Sequence, residues 1–322
     1  MNNTIKSQKQ CPLCGEVGVQ IIQSYNVDNI VKKYKDEYQI SVQRFFKDLD
    51  EVHLCECPHD GYKFFYPLDI SGDGSFYEQL QSFSWYYMPW KWEHQVVFNL
   101  INGNHSSKVL EIGCAQGSFV KKLKENGHTA VGLELNQDAV EIANGEGLEV
   151  YNETIQNHAI SGKGKYDIVC SFQVMEHIAD IKEVLTAAVD ALKIGGRMVI
   201  SVPNNCSHLF LDKWNTLNLP PHHMNHWDRN SLHNLERLLP VKTVGFLLEP
   251  QQDYHKAWFN GVLNKHINQE IADKRKLLER YCGYRLSKHF LPILKQYLIR
   301  KLYRKYPEVE NVTIVGIFEK TK

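Results

Sequence analysis

Two carboxylates flank a glycine turn at the centre of this chain. Glu111 stands just before Gly113-Cys114-Ala115-Gln116-Gly117, and Glu134 ends the next apolar run. Glu134 lies roughly 20 residues beyond the first glycine, where a nucleoside-binding fold places a carboxylate for ribose hydroxyls. A dinucleotide loop would space its glycines G-x-G-x-x-G to seat a pyrophosphate against backbone N–H groups. The spacing here is different, and a carboxylate at Glu111 would repel a phosphate. The pair suits a nucleoside that carries a cationic, amino-bearing group.

Two further sets have chemistry-bearing spacing. Cys11-Pro-Leu-Cys14-Gly15 is a knuckle whose turn lets two thiolates face one ion, and a second pair must close the tetrahedron. Leu54-Cys55-Glu-Cys57-Pro-His59-Asp60-Gly61 supplies it: aligned on Gly61, Cys57 and Asp60 take the two ligand places, with Cys55 or His59 as alternatives. This reads as a zinc ribbon whose metal is structural. The other set is Glu176-His177 together with His222, His223 and His226, groups able to move an acceptor's proton near neutral pH. Metal binding by His222, His223 and His226 is the weaker reading, because adjacent histidines on a short loop seldom aim at one ion without a carboxylate.

The elements that must position these groups are legible in order. Lys108–Ile112 reads as a strand, and Phe119, Val120 and Leu123 fall at helical spacing after the glycine turn. Ala130 to Leu135, Leu148 to Tyr151, Tyr166 to Phe172, Gly195 to Val202, Val241 to Leu248 and Asn311 to Glu319 read as further strands. Asp180 and Asp228 stand where helix caps are expected. Tyr62 to Pro67 alternates like an edge strand stopped by proline.

From about Tyr86 to about Phe246 the pattern resembles the class I S-adenosylmethionine (SAM) methyltransferases, with the glycine turn as their first motif. The resemblance implies a Rossmann-like α/β fold: a seven-stranded mixed sheet, last strand antiparallel, helices on both faces. The small zinc-ribbon-like module would occupy residues 1–80 and the SAM-binding domain residues 81–322, with a helical insertion at residues 254–306 between strands six and seven. It also implies a cofactor pocket of Glu111, Gly113, Cys114, Ala115, Gly117, Glu134, Leu135, Glu153, Thr154, Phe172 and Gln173. Glu153 and Thr154 would hold adenine, Phe172 and Gln173 would line the methionine portion, and Tyr86, with Tyr87, would form a lid. Glu176, His177, His222 and His223 become the catalytic candidates. Sugar C-methyltransferases sharing a zinc-bearing front end use a glutamate and a histidine at the active site, but they carry a large extra C-terminal domain that this chain does not match.

Composition narrows the acceptor. Lysine plus arginine and aspartate plus glutamate balance at 37 each, so no basic excess draws nucleic acid. The fourth strand is followed by Gln173-Val-Met-Glu176 rather than the Asp/Asn-Pro-Pro-Tyr segment of many nucleic-acid amine methyltransferases. A small molecule or glycan precursor is expected, with zinc and SAM as cofactors. Two alternatives are a protein or RNA methyltransferase that uses the ribbon for recognition, and a non-catalytic assembly subunit. The polar start, residues 1–10, and the lack of a long apolar run lead to a cytoplasmic expectation. The eight cysteines fit it, with two close pairs and single cysteines elsewhere. Residues 285–305 carry lysines and arginines without an acidic residue, interleaved with leucines. That pattern suits an ordinary amphipathic helix, or one that touches anionic lipid.

Overall fold

The computed structural model describes residues 9–322 except 84, 85, 87 and 102–105, and the side chains of 275–290 are likewise outside the description. Tyr87, residues 1–8 and the first part of the basic run at 285–290 therefore lie outside the described residues or side chains.

In chain order the elements begin with β1 (Gln20–Asn26), α1 (Val27–Tyr38), β2 (Glu51–Glu56), β3 (Lys63–Tyr66), α2 (Gly74–Gln81) and α3 (Trp92–Ile101). Then come β4 (Lys108–Ile112), α4 (Ser118–Glu125), β5 (Thr129–Leu133), α5 (Gln137–Gly145), β6 (Val150–Tyr151), α6 (Ile155–Gly162), β7 (Tyr166–Phe172), α7 (Ile181–Ala191) and β8 (Leu192–Pro203). The chain closes with β9 (Asn225–His226), α8 (Arg229–His233), α9 (Leu235–Leu238), β10 (Val241–Leu248), α10 (Asp253–Lys305) and β11 (Thr313–Lys320).

Two compact units result. One comprises residues 1–203, 216–247 and 314–322, and the other residues 204–215 and 248–313. The first holds a seven-stranded sheet in the order β10-β11-β8-β7-β4-β5-β6, with its last strand antiparallel, as the sequence predicts. Successive residues of a strand face opposite sides, and both Val109 and Leu110 are fully buried. The sheet is therefore covered on both faces, which is why β4 reads as a continuous apolar run. Strand order reverses between β4 and β7, the switch point at which open α/β sheets bind ligands beyond the carboxyl ends of their strands. Both the glycine turn and the Gln173–His177 segment leave the sheet there.

The same unit holds a second sheet, β1-β2-β3-β9, all antiparallel. Here the structure corrects the sequence reading. β3 is not an edge strand, because β9 pairs with it through Lys63↔His226 and Phe64↔Asn225. Pro67 falls just past the strand and so does not interrupt the ladder. Trp227, next to β9, is buried with its ring centroid 4.8 Å from that of Tyr62, and Lys63 Nζ donates to Asp228 Oδ2 at 2.8 Å. The late histidine-bearing loop is thus stitched to the front of the chain. Smaller corrections follow from local geometry. Asp180 occupies the cap position of α7 without a side-chain hydrogen bond to it, while Asp228 caps α8 in a reciprocal capping box with Ser231.

The second unit has its own apolar core. Phe259, Leu263 and Ile267 pack with Leu298, Leu302 and Val309. Lys295 Nζ donates to Asn264 Oδ1 at 3.3 Å across 31 residues, a span of about 46 Å in a straight helix, so α10 doubles back on itself. The apolar stripe of its basic second half is spent on this packing at Leu298 and Leu302. Among the described residues no helix is long and apolar enough to cross a membrane.

Candidate functional site

The glycine turn is fixed from two directions. Gly113 N–H and Cys114 N–H both donate to the Leu133 carbonyl, at 2.8 and 3.0 Å, tying the turn to the end of β5. Ala115 N–H donates to Glu134 Oε2 at 2.9 Å, while Leu135 and Asn136 N–H groups donate to Glu134 Oε1 at 2.8 and 2.9 Å. A carboxylate oxygen accepts more than one hydrogen bond, so Glu134 both clamps the turn and keeps acceptor capacity for ligand hydroxyls.

The glycines serve a purpose the sequence did not reveal. Gly113 and Gly117 have φ of 74° and 77°, and a Cβ at these positions would meet Val174 Cγ2 at 2.5 Å and Leu148 Cδ1 at 2.7 Å. Glycine is therefore required by backbone conformation and by side chains packed over the turn. Cys114 is buried.

Glu111 is 4% exposed, and its Oε2 has no hydrogen-bond partner among the described residues. Burial pushes its carboxyl up to about 8, with the neighbouring Glu134 charge adding to the rise and Lys91 opposing it. A buried carboxyl with a spare oxygen at a sheet switch point fits a ligand ammonium group. Leu135, 67% exposed beside Glu134, offers an apolar face for a flat base. Together these residues form a donor and acceptor set that fits SAM.

Other predicted cofactor residues are placed differently. Phe172 is buried in the main core, 5.2 Å from Phe119 and 4.7 Å from His94 between ring centroids, so little of it is left to line a pocket. Thr154 caps α6 by accepting Asn157 N–H at 3.3 Å, and Glu153 Oε1 is 2.8 Å from His158 Nδ1. Both therefore have structural partners. Gln173 has φ of 57°, and its side chain donates to Ser201 Oγ at 3.0 Å and Glu93 Oε1 at 3.4 Å. Sequence reasoning missed Glu93, Ser201 and Asn152, whose Nδ2 donates to the Glu134 and Leu135 carbonyls. Nothing in their local pattern marks them, since each acts through a residue distant in sequence.

The acid–base candidates lie on the Gln173–His177 segment itself and on the loop before β9. Glu176 is 2% exposed with Oε2 unpartnered among the described residues, and burial pushes its carboxyl up to about 8. His177 is drawn down to about 4 by burial, against the upward pull of the His222 and Gln173 carbonyls. Burial also holds His222 and His223 well below the ordinary imidazole range. His177, His222 and His223 cluster, while His226 turns its Nε2 to the Asn218 carbonyl at 2.9 Å. Tyr86, predicted as a lid over the cofactor, places its hydroxyl 3.3 Å from His222 Nε2.

The front module repeats one turn twice. Gly15 N–H donates to the Cys11 carbonyl and Gly61 N–H to the Cys57 carbonyl, both at 2.9 Å, with φ of 82° and 69° at the glycines. Ligand atoms of Cys11, Cys14, Cys57 and Asp60 all lie within 4.8 Å of one another. Cys11 Sγ is 3.5 Å from Asp60 Oδ2, and Cys14 Sγ is 3.6 Å from Cys57 Sγ. Three thiols and a carboxylate converging in this way fit a tetrahedral zinc site. Cys55 is outside the group, its thiol bonded to the His53 carbonyl at 3.8 Å, and His59 is exposed.

Comparison with known proteins places the central segment. Residues 84–239 match the family model described as a methyltransferase domain. A ubiquinone biosynthesis O-methyltransferase of Vibrio parahaemolyticus is 29% identical over 114 residues, covering 34% of this chain and 48% of that protein. One of Escherichia coli is 30% identical over 108 residues, covering 32% of this chain and 45% of that protein. The chain thus spans about half the length of these relatives or slightly less. A SAM-dependent methyltransferase structure from Archaeoglobus fulgidus is similar in fold, with a TM-score of 0.52 and 19% identity, covering 77% of this chain and all of that one. Residues 84–239 therefore match a methyltransferase-domain family, and the chain shares the fold of a SAM-dependent methyltransferase.

Proposed function

We propose that the chain transfers a methyl group from SAM to a small molecule or glycan precursor, at a hydroxyl or carbon of a nucleotide-linked or polysaccharide sugar. The observation that carries the cofactor half is the Glu134 clamp on the Ala115 turn, with the spare buried oxygen of Glu111 beside it. SAM, when bound, supplies a methyl already activated on a sulfonium. The chain's own residues must then hold the acceptor in line, exclude water and take up the acceptor's proton; alignment alone can contribute on the order of 7 to 11 kcal/mol in favourable cases.

Glu134 and Glu111 would hold the ribose and amino ends, and Leu135 the base. Glu176, buried and with a spare oxygen on the segment leaving β7, would exchange the acceptor's proton. The charge balance and the O-methyltransferase names of the matched relatives support a small oxygen-bearing acceptor. Cys11, Cys14, Cys57 and Asp60 would hold a structural zinc ion that ties the two knuckles together. Just beyond the knuckle Tyr62 packs on Trp227, and the edge of β3 pairs with β9 within the same unit. That internal use favours a supporting module over one reserved for a macromolecular partner.

Calorimetry of the full chain with SAM, followed by methyl-transfer assays over a panel of nucleotide sugars, tests this reading. Binding of SAM and turnover on a panel member are expected. Indifference to SAM together with retention of NAD or a flavin would overturn it.

A further inference from the structure

The three clustered histidines come from two separate segments. His177 ends the short 3-10 turn after β7, and His222 and His223 lie on the loop before β9. One nitrogen of each ring is committed to an oxygen. His177 Nδ1 faces the His222 carbonyl at 2.8 Å, His222 Nδ1 the Leu217 carbonyl at 2.9 Å, and His223 Nδ1 the Asn218 side-chain oxygen at 3.0 Å. An amide oxygen only accepts, so each Nδ1 must carry the hydrogen, and each neutral ring presents a bare Nε2 lone pair.

Among the described residues a hydrogen bond reaches only one of the three, from the Tyr86 hydroxyl to His222 Nε2 at the long distance of 3.3 Å. The rings instead face one another, with centroids 4.6 Å apart for His177 and His222, 5.1 Å for His177 and His223, and 4.5 Å for His222 and His223. One ligand atom from each lies within 4.8 Å of the other two. Ring nitrogens gathered this closely, with a donor at only one of them, fit a cation. The oxygen partners on Nδ1 supply the outer support that metal-bound imidazoles typically have, fixing tautomer and ring orientation.

We propose that His177, His222 and His223 form a second metal centre, separate from the cysteine site, that takes a divalent transition ion of the zinc class through three imidazole nitrogens. Three histidines leave a tetrahedral ion one open position, the pattern of catalytic rather than structural zinc. The support is deep: the Tyr77 hydroxyl also donates to the His222 carbonyl at 3.3 Å, and the Asn225 side chain donates to the Met175 and Ile178 carbonyls on either side of His177. Val174, three residues before His177, packs over Gly113. Resting on the methyl-transfer reading, the open position would receive an oxygen donor of the acceptor beside the cofactor turn.

The test is metal stoichiometry on the full chain, which needs neither SAM nor substrate. After reconstitution with cobalt, wild type is expected to hold two ions per chain and H223A or H177A one. The thiolate-to-cobalt charge-transfer absorption, which reports only the cysteine site, should stay unchanged in both variants. H226A, which alters a neighbouring histidine outside the cluster, should keep two ions. An H223Q variant guards against misfolding, since its amide keeps bulk and polarity, and circular dichroism confirms the fold. One ion per chain in wild type, fully accounted for by the thiolate band, would overturn the proposal. So would a second ion that survives in folded H177A and H223Q. SAM calorimetry on the same samples separates failure of this site from failure of the methyltransferase reading.

Discussion

Glu134 Oε2 accepts the backbone N–H of Ala115 at 2.9 Å, so the tip of the second sheet strand holds the turn that follows the first. One side chain thereby shapes the pocket and stands ready for ligand hydroxyls. Replacing it with alanine removes both contributions. Hydrogen bonds to a charged group contribute about 1.5 to 3 kcal/mol, so E134A should weaken SAM binding by roughly 10-fold to 100-fold in calorimetry. E134Q, which keeps acceptor oxygen but no charge, should fall between. Unchanged affinity in E134A would remove Glu134 from the pocket.

At Gly113 the left-handed backbone and the Val174 contact act together. G113A should cost about 1 to 3 kcal/mol in urea unfolding from the strained φ, and SAM affinity should fall with it. Trimming Val174 to alanine in the same chain should relieve the collision and leave the conformational cost. If the double variant recovered wild-type stability, φ would not be the constraint inferred here.

The pH dependence of stability has a definite sign at Glu111. Its carboxyl is raised from 4.5 to about 8 in the folded chain, so the folded state keeps a proton that the unfolded chain has already released. The associated stability is whole below 4.5 and is lost as pH climbs toward 8. Urea midpoints of E111Q, whose amide stays neutral throughout, should decline less across that window than those of wild type. An ammonium-bearing ligand favours the ionised form, so SAM affinity of wild type should rise toward pH 8 and that of E111Q should not. Parallel slopes in the two proteins would refute the assignment.

For the cysteine site, the knuckle geometry separates neighbours in sequence. Cys57 lies in the cluster and Cys55 outside it. By elemental analysis C57S should hold one zinc ion per chain fewer than wild type and should melt at a lower temperature, whereas C55S should match wild type. Loss of zinc in C55S with retention in C57S would reverse the ligand set.

Much of the cofactor turn was legible because its logic is local. Glycines at 113 and 117, a carboxylate at 111 and another at the next strand end lie within one strand-turn-helix-strand unit, and spacing alone specifies them. The knuckles were legible for the same reason: each is closed by a backbone hydrogen bond across four residues. The histidine cluster was legible only in part. His177, His222 and His223 stand together as acid–base candidates in the sequence, but as metal ligands proximity joins His226 to His222 and His223, whereas His226 turns to the Asn218 carbonyl and His177 takes its place in the cluster. Phe172 and Thr154 have structural partners that the pattern does not disclose. A pocket position in a related pattern says nothing of whether Phe119 will claim a ring or a helix will need a cap.

The ladder between β3 and β9 carries a consequence for anyone who would trim this chain. A truncation near residue 80 looks harmless on paper, yet it would strip Asn225 and His226 of the strand they hydrogen-bond to and leave Trp227 without its Tyr62 neighbour. The histidines just upstream would lose their footing along with the cysteine knuckles. Front module and transferase core should therefore melt together, and neither is a free-standing part to be exchanged.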